Sequence, residues 1–142
     1  IKGKPDNYHT LTPFFQLRDA DKFVDFVKDV FSAEVTELMR RPDGAVAHAE
    51  FRIGDSTAML AEGDPMPLAT YVYLEDVDAV YQKALAAGGI TSQEPTDQFW
   101  GDRQAAVLDK WNNMWFIATN KEEVSAEELQ RRMASMAAAP AS

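Results

Sequence analysis

Leu17-Arg18-Asp19-Ala20-Asp21 and, 57 residues further on, Leu74-Glu75-Asp76-Val77-Asp78 each close a short run of bulky residues and open a helical pattern. Before the first lies Thr10 to Leu17 (TLTPFFQL), which reads as a strand. After it, Phe23, Phe26, Val27, Val30 and Phe31 recur at three- and four-residue spacing, one apolar stripe of a helix. Glu34 to Arg40 and Ala45 to Ile53 then read as strands joined by the Pro42-Asp43-Gly44 turn, and Ser56 to Ala61 follows Gly54-Asp55 as a fourth. The order starts again beyond Glu62-Gly63-Asp64-Pro65-Met66-Pro67, which reads as a linker. Ala69 to Leu74 is a strand, Asp76 to Ala87 a helix stopped by Gly88-Gly89, and further strands follow. The spacing that carries Leu17, Asp19 and Asp21 onto Leu74, Asp76 and Asp78 also carries Leu60 and Ala61 onto Ile117 and Ala118. One register serving both ends of a module indicates duplication. Ser125-x-x-Glu128 opens a last helix with a capping box.

The expected fold class is therefore α+β: two βαβββ modules and a C-terminal helix. Residues 1–142 form a single domain, with module one at about 10–62, module two at about 68–120 and the helix at about 125–137. A chain of 142 residues, 46% hydrophobic, suffices for a core without staples. With no cysteine, disulfides, thiolate metal sites and cysteine nucleophiles drop out together. A net charge of −9 with scattered Lys and Arg repels phosphate backbones, so no nucleic-acid partner is expected. An acidic surface favours a cationic ligand, although acidity also serves solubility alone. No apolar run approaches a membrane span, and Ile1-Lys2-Gly3-Lys4-Pro5-Asp6 lacks a signal-peptide core. A cytoplasmic location without membrane partners is the expectation.

Five stretches carry a family resemblance: Leu17-Arg18-Asp19-Ala20-Asp21; His48-Ala49-Glu50-Phe51-Arg52-Ile53-Gly54-Asp55-Ser56; Leu74-Glu75-Asp76-Val77-Asp78-Ala79-Val80; Asp97-Gln98-Phe99-Trp100-Gly101-Asp102-Arg103; and Trp115-Phe116-Ile117-Ala118-Thr119. In order and spacing the chain resembles the vicinal oxygen chelate superfamily of glyoxalase I, extradiol dioxygenases, fosfomycin-resistance enzymes and bleomycin-binding proteins. Within it, the chain is most similar to the branch labelled demethylubiquinone-methyltransferase-like. The resemblance implies curved mixed sheets around a cavity, with helices on the convex faces and the site on the concave ones. It also implies a small-molecule ligand and a homodimer. Metal-dependent members place ligands near the start of the first strand and on the last strand of each module. Those positions are Thr12, Ala69, Met59 and Phe116, none of which holds a divalent ion. Their same-face neighbours include no His, Glu or Asp, so no metal and no cofactor are expected. Asp109-Lys110-Trp111-Asn112-Asn113-Met114 also departs from the family's usual Asp-Pro-Phe-Gly-His type turn.

Alternation along the strands assigns faces. Phe14, Gln16, Met59, Tyr71, Tyr73, Met114 and Phe116 fall on the inner faces, forming an aromatic and thioether wall suited to flat or apolar ligands or else filling a closed core. Trp100 and Trp111 sit in loops and are candidate lids, whereas Trp115 has core parity. His48 and Glu50 share a strand face with Val46 and Arg52, where they read as a general base with an Arg anchor or as a plain polar face. Three readings result. The first is a metal-free binding protein sequestering an aromatic, amphipathic or cationic ligand. The second is a lyase or isomerase using His48 or Glu50, and the third a structural or partner-binding module with a filled interior.

Overall fold

The computed structural model describes residues 3–138. Its first module runs β1 (Phe14–Leu17), α1 (Ala20–Phe31), β2 (Glu34–Arg40), β3 (Val46–Ile53) and β4 (Ser56–Glu62). The second repeats the order as β5 (Ala69–Tyr73), α2 (Val77–Ala86), β6 (Ile90–Asp97), β7 (Asp102–Leu108) and β8 (Met114–Asn120), and α3 (Ala126–Ala138) follows. Each module is one four-stranded mixed sheet, ordered β1-β4-β3-β2 and β5-β8-β7-β6. The first and last strands of each module are parallel neighbours. Phe14 lies opposite Met59, and Tyr71 opposite Phe116, so the 57-residue repeat holds at the level of strand register.

The repeat extends to the helix starts. Glu62 at the end of β4 accepts the Ala20 N–H (2.9 Å), and Thr119, its counterpart on β8, accepts the Val77 N–H (3.0 Å) through its hydroxyl. In both modules the last strand thus supplies a side-chain oxygen to an otherwise orphaned amide of the helix N-terminus. Asp76 adds an ordinary cap to α2 by accepting from Ala79 N at 3.1 Å, while Asp19 makes no such bond.

The stripe predicted for α1 is buried: Phe23, Phe26, Val27, Val30 and Phe31 all join the core. Burying each such side chain is worth roughly 1.5–3 kcal/mol. The helix-bearing faces of both sheets meet in this one core. Phe15 of β1 stacks on Trp115 of β8 at 5.3 Å and 16°, and Phe31 approaches Trp115 at 4.7 Å. The opposite faces therefore turn away from the core.

Two boundaries and one strand face differ from the sequence reading. β1 begins at Phe14, four residues after Thr10, because Pro13 has no N–H to donate to a ladder. Val46 does not share a face with His48: the β2–β3 register shifts between Met39 and Arg40, and Val46 packs in the core beside Ala49 and Phe51. The linker begins later than expected, since Glu62 belongs to β4. It is also pinned to β1, where Met66 N donates to Gln16 O (3.0 Å) and Gln16 Nε2 to Asp64 O (2.8 Å).

Candidate functional site

On the open face of the second module, Tyr71 and Tyr73 project from β5 and Phe116 from β8. Tyr71 lies 6.0 Å from Phe116 at 16° and 5.1 Å from Tyr73 at 47°. Both hydroxyls reach past β8 to Asp102 on β7. Tyr71 donates to Asp102 Oδ2 at 2.6 Å and Tyr73 at 3.0 Å. Trp100 Nε1 donates to the same oxygen (2.9 Å), and Asn120 Nδ2 to Oδ1 (3.0 Å). Ala118, between Tyr73 and Gln104 in register, is small enough to let the tyrosines cross the sheet.

Asp102 is only 2% exposed. Burial works against its charge, but donation from Tyr71, Asn120, Trp100 and Tyr73 prevails and holds the carboxyl below its usual range. The two phenols shift the other way, raised by burial and by the carboxylate they bond. Tyr71 and Tyr73 nevertheless keep 40% and 60% exposure, so their rings remain accessible. Trp100 comes from the β6–β7 corner, where Gly101 has φ 106° and a Cβ would collide with the Glu122 carbonyl, so only glycine fits. Arg132 of α3 donates to Phe99 O (2.9 Å) and pairs with Glu122 (2.7 Å), bracing that corner from outside.

The matching face of the first module is largely covered. Residues before β1 fold back over it, leaving Tyr8 buried. Thr57 Oγ1 donates to Asn7 O (2.7 Å), and Asn7 Nδ2 donates to Glu50 Oε2 (3.0 Å). Thr36 Oγ1 also donates to Glu50 Oε2 (2.6 Å). Thr36, then Tyr8, hold the Glu50 carboxyl below its ordinary range despite its burial, which weakens it as a base. His48 is half-buried opposite Met39, and Arg52 is exposed, with its guanidinium 3.5 Å from Gly54 O.

The remaining sequence candidates divide. Phe14, 44% exposed, and the half-buried Met59 lie side by side on the first open face. Gln16 is engaged with the linker, and Met114 lies on the second module's face opposite Ala69. Trp111 is not near the tyrosines. It packs edge-on against Phe23 of α1 (5.2 Å, 88°), and its indole donates to Arg18 O (2.7 Å), so it covers the helix seam rather than a ligand face. The Asp109–Asn113 turn that holds it is knitted by the Asp109 carboxylate. That group accepts from Trp111 N, Asn113 N and Nδ2, and Trp115 Nε1 at 2.8–3.0 Å. A recess of about 200 Å³ also lies at the module seam, between Phe51 and Ile53 on one side and Thr70 and Val72 on the other.

A divalent ion does not fit the family's ligand positions. The paired inner residues are Phe14 with Met59, Ala69 with Met114 and Tyr71 with Phe116, which offer a thioether and a phenol but no carboxylate or imidazole. Among the described residues no three His, Asp or Glu groups come together as a ligand set. No helix there is long and apolar enough to cross a membrane.

Residues 9–117 match the family model for the Glyoxalase/Bleomycin resistance protein/Dioxygenase superfamily. An uncharacterized protein of Mycobacterium bovis is 31% identical over 140 residues, covering 88% of this chain and 92% of its own. TioX from Micromonospora sp. ML1 superposes with a TM-score of 0.62 at 26% identity, over 78% of this chain and 98% of its own. A PhnB protein from Bacillus cereus, described as a 3-demethylubiquinone-9 3-methyltransferase, gives 0.66 at 19% identity, over 78% and 99%. The fosfomycin resistance protein FosX from Listeria monocytogenes gives 0.64 at 18%, over 85% and 97%. The last two likenesses speak for the fold alone.

Proposed function

The chain belongs to the glyoxalase/bleomycin resistance protein/dioxygenase superfamily, and from that premise we propose that it is a metal-independent, cytoplasmic binding protein for small aromatic, amphipathic or cationic molecules. Its ligand lies on the open face of the second module, against Tyr71, Tyr73, Phe116 and Met114, with Trp100 at the edge. The observation that carries this reading is the exposure of Tyr71 and Tyr73 on a strand pair whose other face places Trp115 and Ile117 in the core. Rigid aromatic rings held by a buried carboxylate are poor solubilising groups and good ligand anchors.

We propose further that the protein acts as a homodimer, in which a second copy covers the open sheet faces that one chain leaves exposed. Leu11 (88% exposed), Phe14 and Met66 (62%) support this, as apolar side chains that a partner would shield. A lyase or isomerase using His48 or Glu50 is the weaker reading, because Glu50 is engaged by Asn7 and Thr36 and covered by the N-terminal arm. A filled structural module is disfavoured by the open tyrosines.

Thermal unfolding of chelator-treated protein with a panel of planar aromatic compounds tests the function. A compound present at about 100 times its Kd should stabilise the native state by about 2.7 kcal/mol, raising Tm by several degrees. Chelation alone should leave Tm unchanged. A flat response across the panel, or one stoichiometric metal ion by elemental analysis, would overturn this reading.

A further inference from the structure

The second module's face holds a buried negative charge, Asp102. Asp102 takes part in no ion pair among the described residues, and the neighbouring Arg103 is committed to Asp78 and Asp97 instead. Every donor to Asp102 is neutral: the Tyr71 and Tyr73 phenols, the Trp100 indole and the Asn120 amide. This arrangement fixes what the face can offer a ligand. A phenol whose proton points at a carboxylate has no proton to give, so its exposed lone pair only accepts. Donation to an anion also pushes electron density into the ring and strengthens its negative face. Acceptors, π faces and a charge in a water-poor setting all select for the same partner.

We infer that Tyr71, Tyr73 and Phe116, backed by Asp102, form a subsite for an organic cation, either a quaternary ammonium or an N-alkylated heteroaromatic nitrogen. The inference rests on the binding reading above and narrows it. Tyr71 and Phe116 are near-parallel, while Tyr73 is tilted 47° to Tyr71, so the rings present two differently inclined faces. A cation set there lies within the ~6 Å of ring centroids at which cation–π attraction operates. Direct contact with Asp102 is unnecessary, since its field acts through the phenols. The first module has no equivalent. The positions 57 residues earlier are Phe14, Gln16 and Met59, and its one buried carboxylate on that face, Glu50, lies under the N-terminal arm. One subsite per chain is implied.

Calorimetric titration of the full chain at pH 8 with three probes of similar size tests the inference. The probes are N-methylquinolinium (cationic), quinoline (neutral) and 2-naphthoate (anionic). The cation should bind at least tenfold more tightly than quinoline, with 2-naphthoate weakest, and added salt should weaken only the cation. Asp102→Asn should abolish the cation preference while quinoline binding persists. Should that variant fail to fold, Tyr73→Leu, at an exposed position, should lower cation affinity about tenfold and leave quinoline within a few-fold. Equal binding of cation and quinoline by the unmodified chain would overturn the cation subsite and leave aromatic binding standing. No binding of any probe would overturn both. A cation preference surviving the deciding variant would overturn the assignment to these residues.

Discussion

Tyr8 and Asp102 are the two residues whose burial changes what the molecule can do, and each leaves a different trace. Burial, and then the Glu50 carboxylate, push the Tyr8 hydroxyl up from 10.0 to about 12. A folded-state pKa above the unfolded one means that the neutral phenol is favoured by folding. That stability is fully present below pH 10 and is lost as the pH climbs through about 12. Urea unfolding across this window should therefore decline more steeply for the natural chain than for Tyr8→Phe, by roughly 1.4 kcal/mol per pH unit at most. Identical slopes would mean that Tyr8 is solvated and the arm does not cover the first sheet. Comparing the two chains also cancels Tyr71 and Tyr73, which are raised as well. Strand parity put the ring-bearing positions on the correct faces, because alternation is a property of the backbone. Asp102 was not legible in the same way. An Asp beside Trp100 and Gly101 reads as a turn residue, and only the fold brings two tyrosines across a strand to meet it. Trp111 misled for the complementary reason: a tryptophan in a loop reads as a lid, and here the Asp109 network folds the loop onto α1.

At the level of elements, the duplicated register was the most readable feature. The spacing from Leu17 to Leu74 is reproduced in the pairing of β1 with β4 and β5 with β8, and again in the Glu62 and Thr119 contacts to the two helix starts. Such contacts are long-range, yet they follow from the repeat once one strand pair is placed. The β2–β3 bulge that turns Val46 inward was not readable, because an extra residue in one strand leaves no mark in composition. The same limit applied to residues before Phe14. Asn7 and Tyr8 look like an unstructured polar arm, and only Glu50 and Thr57 on the sheet beneath give them partners. Ser125 does cap α3 as its sequence implies, accepting from Glu128 N at 3.1 Å, but the Glu128 carboxylate turns to Arg131 and Arg132 rather than back to the cap.

At the scale of the whole molecule, the two modules meet through their helix-bearing faces; the N-terminal arm covers much of the first module's opposite face, and the second module's is left open. Sedimentation velocity should return twice the 15.8 kDa chain mass at micromolar concentration. A monomer with solvent-facing tyrosines would remove the homodimer and leave an open, shallow site. The central claim, that ligands bind the second module's aromatic face without a metal, is tested most directly by nuclear magnetic resonance of the chelator-treated, nitrogen-15-labelled chain titrated with N-methylquinolinium. The indole N–H of Trp100, which bonds Asp102, should shift with saturation, together with amides of β5 and β8, while the indole signals of Trp111 and Trp115 stay fixed. Shifts centred on His48 and Glu50, or no saturable shift at any concentration reached, would contradict it.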